Sequence, residues 1–137
     1  MNSQNKNYSV IVDAFSGLGD QNNLGIKGKL FIGEELGLTG CEISLNKLPA
    51  NTSFPFVHAH KKNEELYLII SGNGVFQVDD EKFPIQEGSL IRVAPAGERC
   101  IEAKDEELFY ICVQAEHNSL SQSKTNDGFV VQSNTQQ

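Results

Sequence analysis

The chain of 137 residues has no tryptophan, one methionine and only three cysteines, three histidines and four prolines. Cys41, Cys100 and Cys112 are odd in number and widely spread. That excludes a disulfide framework and suits a reducing compartment. No apolar run is long enough to span a bilayer. Basic residues are scarce, 11 against 18 acidic ones, for a formal net charge of −7. Such a balance argues against nucleic acid or an anionic membrane as partner. The polar stretch from Met1 to Asn7 is not followed by a signal-peptide core, so a cytoplasmic location is expected. A Walker-type glycine loop is missing, no Ser-His-Asp set can be argued, and Gly17-x-Gly19 lacks the rest of a dinucleotide fingerprint.

Helical periodicity is also lacking. What the chain has instead is a series of short apolar or alternating runs split by glycine, proline and asparagine. Tyr8–Val12 and Lys27–Ile32 read as strands, with turn-rich loops over Phe15–Asn23 and Gly33–Gly40. Cys41–Leu48 alternates, with Cys41, Ile43 and Leu45 on one face and Glu42, Ser44 and Asn46 on the other. Leu66–Ile70 is apolar on both faces, as in a strand covered on both sides. Gly72-Asn73-Gly74 carries a hairpin signal, followed by Val75–Val78, a turn at Asp79–Lys82 and Phe83–Ile85. Ser89–Val93 and Glu107–Val113 complete the set, with Ala103–Glu107 as a polar hairpin loop. This spacing predicts one all-β domain over residues 1–137, a sandwich or barrel. Residues 1–7 are expected to fray. From Glu116 to Gln137 the chain is a polar tail whose one apolar island, Gly128–Val131, could dock as a terminal strand.

The richest segment is His58-Ala-His60-Lys-Lys-Asn-Glu64-Glu65, with Ser71-Gly72 six residues on. Imidazoles at i and i+2 share one face of a strand. A carboxylate across a short turn can meet them from the next strand. Two imidazoles and a carboxylate are standard donors for a divalent transition metal.

This segment resembles the first motif of the cupin superfamily: His-x-His, three or four residues, Glu, six residues, Gly. On that pattern Glu65 takes the ligand role, with Glu64 as second choice. Gly88-Ser-Leu-Ile-Arg-Val-Ala-Pro95-Ala-Gly97-Glu-Arg-Cys100 is similar to the second motif, with two departures. Six residues rather than five precede Pro95, and Cys100 stands where the last histidine ligand is expected. The resemblance covers roughly residues 28–115. It implies an antiparallel double-stranded β-helix, or jelly-roll barrel, holding a divalent metal on His58, His60, Glu65 and Cys100. Zinc heads the candidates, with iron, copper, nickel and manganese behind it. As a thiolate, Cys100 would make the shell neutral and softer; as a packed thiol it would leave three ligands and open positions.

If Glu65 faces inward, alternation puts Tyr67 and Ile69 inside and leaves Leu66, Leu68 and Ile70 outside, a row that a homodimer would cover. Arg92 and Arg99, the only arginines, both fall in the second motif. Their planar forks suit a small anionic ligand, though ordinary ion pairing fits as well. Tyr67 is a further candidate for substrate contact, and Tyr67 or Glu64 for proton transfer. Cys41 and Cys112 read as small buried hydrophobes and His117 as solvated. Two function classes follow. One is a metal-dependent oxygenase or isomerase acting on a small polar molecule. The other is a non-catalytic binding or sensor barrel, with or without metal.

Overall fold

The computed structural model describes residues 2–4, 7–23, 25–120 and 127–132. Two short ribbons come first: β1 (Asn2–Gln4) pairs with β2 (Ser9–Ile11), and β3 (Asn22–Asn23) with β4 (Ile26–Lys27). The barrel strands follow: β5 (Lys29–Phe31), β6 (Glu42–Leu48), β7 (Asn63–Ser71), β8 (Asn73–Val78), β9 (Glu81–Gln86), β10 (Leu90–Val93), β11 (Arg99–Ala103) and β12 (Leu108–Glu116). One antiparallel sheet has the order β10-β7-β12-β6-β5, and a second the order β11-β8-β9. Together they make an all-β jelly-roll barrel, one of the two architectures that the strand spacing allowed and the one that the resemblance implied.

Alternation decides what each strand buries. Along β7 the buried residues are Glu65, Tyr67 and Ile69, while Leu66 and Ile70 are exposed. Along β11 they are Arg99, Ile101 and Ala103. Tyr67, Ile69, Ile101 and Ala103 join Phe76, Ile91, Leu108 and Tyr110 in a core drawn from both sheets. Tyr67 packs edge-on against Phe76, with ring centroids 4.8 Å apart. Complete burial of one such aromatic contributes about 2–3 kcal/mol.

The polar face of β6 looks inward. Ser44 and Asn46 are buried, whereas Ile43 and Leu45 belong to a second cluster with Leu18, Ile32, Phe109 and Ile111. The N-terminal segment therefore covers the outer face of β6 and β12 and leaves that of β7 and β10 open.

Five expectations need correction. Residues 2–4 form a strand rather than fraying, because Ser9–Ile11 offers them a partner edge. The loops at Phe15–Asn23 and Gly33–Gly40 each carry one helical turn, Leu18–Asp20 as 3-10 and Gly33–Leu36 as α. The Glu42 carboxylate accepts from the Gly33 amide at 2.8 Å and holds the second turn on β6. Gly72 is a corner rather than a hairpin: β7 is flanked by β10 and β12, and β8 by β11 and β9. At Gly72 φ is +94°, and a Cβ would lie 2.1 Å from the Glu107 carbonyl oxygen, so only glycine allows the chain to cross between sheets there. The loop at Ala103–Glu107 likewise passes between sheets, from β11 to β12. The island Gly128–Val131 forms no strand, and its apolar side chains are exposed.

Candidate metal centre

The segment before β7 runs beside β11 through two isolated bridges, Ser53 with Glu102 and His58 with Arg99. His58 and Arg99 exchange backbone hydrogen bonds of 3.1 and 2.9 Å, and the His60 amide donates to the Pro95 carbonyl at 2.9 Å. These bonds fix both imidazoles on one side, with ring centroids 5.3 Å apart. Glu65 enters from β7. The donor atoms of His58, His60 and Glu65 all lie within 4.8 Å of one another.

Glu65 is the hub. His60 Nε2 lies 2.9 Å from its Oε2 and His58 Nε2 3.8 Å from its Oε1. Tyr67 donates its hydroxyl to Oε1 at 2.7 Å, and Arg99 Nη1 donates to the same oxygen at 2.7 Å. Burial alone would raise the carboxyl pKa. Interactions with His58, Tyr67 and Arg99 and the charge of His60 outweigh burial and hold it well below the usual carboxylate range. Burial, with the charges of Cys112 and Glu65, pushes the Tyr67 phenol well up, so it stays protonated and serves as a donor.

Arg99 is fully buried. Its Nε donates to the Gly97 carbonyl at 3.0 Å, and its Nη2 to those of Ala94 and Pro95 at 2.7 and 3.2 Å. It thus ties the Ala94–Gly97 turn to Glu65. Cys100, the next residue, borders the small cavity that His58 and Glu65 also line, but its sulfur lies 3.7 Å from the Phe54 carbonyl oxygen and is not in the three-residue donor set. Burial pushes its thiol pKa up. Glu64 also stands apart, 3.7 Å from Nδ1 of His117, which is exposed as expected. Arg92 lies exposed on β10, opposite Leu66 and outside the barrel. Cys112 is buried, and Cys41 is half-buried.

The donor set suits a borderline divalent ion. Oε1 is occupied by Tyr67 and Arg99, so Oε2 is the oxygen that would face an ion beside the two imidazoles. Among the described residues, buried His58 Nδ1 has no hydrogen-bond partner. Buried polar atoms are nearly always paired, so the cluster has coordinating capacity to spare. The Arg99 guanidinium adds a positive charge to the surroundings, where a fourth neutral ligand would add none.

Lys29, which the sequence reading passed over, also faces inward. Its Nζ donates to Asn46 Oδ1 at 2.9 Å and Ser44 Oγ at 3.3 Å, and lies 4.9 and 5.6 Å from the Phe31 and Phe54 ring centroids. Burial lowers its pKa, against the raising influence of Cys112 and Glu65. An inner cavity of about 30 Å³, bordered by His58, Glu65 and Cys100, holds roughly one water. Lys29, Phe54 and Tyr110 separate it from an outer pocket of about 210 Å³.

Residues 45–113 match the cupin domain family, and the chain belongs to it. It is similar in structure to a cupin protein from Bacteroides fragilis, with 38% identity and a TM-score of 0.79 over 93% of this chain and 99% of that one. It is also similar to a Thermotoga maritima protein described as a predicted oxalate decarboxylase, with 27% identity and a TM-score of 0.51 over 54% of this chain and 64% of that one. An uncharacterized protein of Methanocaldococcus jannaschii is 37% identical over 46 residues, 34% of this chain, and the match spans only 37% of that relative's length.

Proposed function

We propose that this barrel holds a divalent transition metal, zinc foremost and iron, copper, nickel or manganese as alternatives, on His58, His60 and Glu65, and binds a small polar or anionic molecule beside it. The observation that carries this is the convergence of two imidazoles and one carboxylate within 4.8 Å. A bound ion would supply Lewis acidity toward a carbonyl oxygen, which an isomerase needs, or, were it redox-active as iron is and zinc is not, the electron-transfer chemistry that an oxygenase needs. The chain's own residues do the rest. Tyr67 and Arg99 orient the carboxylate and keep it ionised. Arg99 also leaves the loaded site more positive, which favours an anion next to it.

A second reading, a binding or sensor barrel without turnover, draws support from the same arginine. Glu65 is held by Arg99, Tyr67 and His60, Tyr67 is kept protonated, and Glu64 points to His117. None of these three carboxyl and phenol groups is thus a ready general base. Self-association through the open face of β7 and β10 completes the proposal, since Leu66, Ile70 and Leu90 are exposed there.

Elemental analysis of protein purified without an affinity tag tests the metal. About one ion per chain in the wild type, and at least a tenfold loss in His60→Ala, is expected. A wild type that takes up no metal even after reconstitution would leave the binding barrel as the reading to keep.

A further inference from the structure

We infer that the outer pocket is a carboxylate-binding site in which Lys29 is the anchor. The inference rests on the reading of the barrel as a small-molecule binder and names the ligand's class, but it does not require the metal. Among the described residues, the hydrogen-bond partners of the half-buried Lys29 cation are neutral, the Ser44 hydroxyl and the Asn46 amide oxygen, and two phenyl rings flank it. Among the described residues, no carboxylate lies within 4.0 Å of its ammonium group. A buried charge is costly unless an opposite charge meets it, and here that charge has room to come from outside.

The pocket beside Lys29 has the matching character. In a chain with 18 acidic residues, none lines this pocket, whereas Lys27, Lys29 and Lys47 all do. The local fold is built for close approach. Gly28 has φ +82°, and a Cβ there would fall 2.3 Å from the Lys47 carbonyl oxygen. Glycine at that position lets β5 seat against β6 and brings Lys29 next to Asn46. The pocket's volume of about 210 Å³ falls below the roughly 300–1,000 Å³ of sites for drug-sized molecules. A carboxylic acid of a few carbons fits, with its carboxylate on Lys29, its body against Phe54 and its far end toward Tyr110 and the inner cavity.

Titration calorimetry tests this with acetate, malonate and succinate as probes and acetamide, malonamide and succinamide as neutral counterparts. Wild type is expected to bind at least one of the acids at least tenfold more tightly than its amide. Lys29→Met should lose that binding at least tenfold and Lys29→Arg should keep part of it, both with wild-type metal content and cooperative melting. In His60→Ala, Lys29-dependent binding should persist, so failure of the metal proposal would leave this one standing. No binding of any acid at millimolar concentration would overturn the inference. So would equal affinity for acid and amide, or unchanged affinity in a folded Lys29→Met variant. Loss of binding in His60→Ala but not in Lys29→Met would put the anion on the metal and overturn it too.

Discussion

Arg99 Nη1 lies 2.7 Å from Glu65 Oε1, and the pair is closed off from solvent, with the two side chains 0% and 4% exposed. Arg99 comes from the three-stranded sheet and Glu65 from the five-stranded one, so the bond closes the barrel at the end where the histidines sit. Removing one partner of such a pair takes away the other's buried counter-charge, at a cost of about 3–5 kcal/mol. Arg99→Met should lose that much in a urea melt. The double variant Arg99→Met with Glu65→Leu should recover most of it, since a buried pair replaced by apolar groups is often neutral. A loss in the single variant no larger than in the double would show that the pair contributes nothing beyond packing.

The same arginine marks the limit of what could be read from sequence. The strands, the barrel and the inward set Glu65, Tyr67 and Ile69 follow from period-two alternation, which a half-buried strand imposes on its residues. The pair His58 and His60 was legible because its spacing is local. Position 99 was not, because matching Cys100 to a motif fixes a count of residues and not a facing. Arg99-Cys100-Ile101-Glu102-Ala103 does carry the signal: isoleucine and alanine share a face with arginine, and cysteine with glutamate. The extra residue between Gly88 and Pro95 pointed to the same shift. Lys29 escaped for a different reason. Its inward facing depends on pairing with Asn46, and nothing local says that the polar side of β6 is the inside of the barrel.

Cys100 should accordingly stay off the metal. Its sulfur faces the Phe54 carbonyl and burial disfavours its thiolate, whereas a coordinating thiol is deprotonated. Cobalt-loaded protein should show no sulfur-to-metal charge-transfer band in the near ultraviolet. Cys100→Ser should hold as much metal as wild type, and Cys100→His should leave metal preference unchanged. A band that disappears in Cys100→Ser would make the cysteine a fourth ligand.

The open face of β7 and β10 presents Leu66 at 37%, Ile70 at 40% and Leu90 at 66% exposure, beside the stretch of sheet that the N-terminal segment already covers. A contiguous apolar face of this kind is usually a contact surface. Light scattering at micromolar concentration should give about twice the 15.1 kDa chain mass. Leu90→Lys should bring it to the monomer value without altering the metal content. A wild type that is monomeric at every concentration would rule out self-association.

Lys29 gives the protein a pH dependence whose sign can be worked out. Burial lowers its folded pKa beneath the unfolded value of 10.5. Between those two values the unfolded chain holds the proton more often than the folded one, so the Lys29 contribution to stability rises with pH there. Below the lowered value both states are charged, and the charge costs the folded state its full desolvation penalty. Above 10.5 both are neutral and the contribution is flat. Tyr67, Tyr110 and Cys112, whose pKa values burial raises, pull the opposite way in alkali, so the wild type alone does not isolate the lysine. The difference between wild type and Lys29→Met does, provided the other groups titrate alike in both. In ligand-free protein that difference, followed by urea denaturation up to pH 10.5, should move in favour of the wild type once pH passes the lowered value. Saturation with whichever acid binds should flatten it, because the carboxylate then meets the charge that burial leaves alone. A difference that shrinks as pH rises would mean that Ser44, Asn46 and the two phenyl rings already satisfy the ammonium group, and that the pocket has no need of an anion.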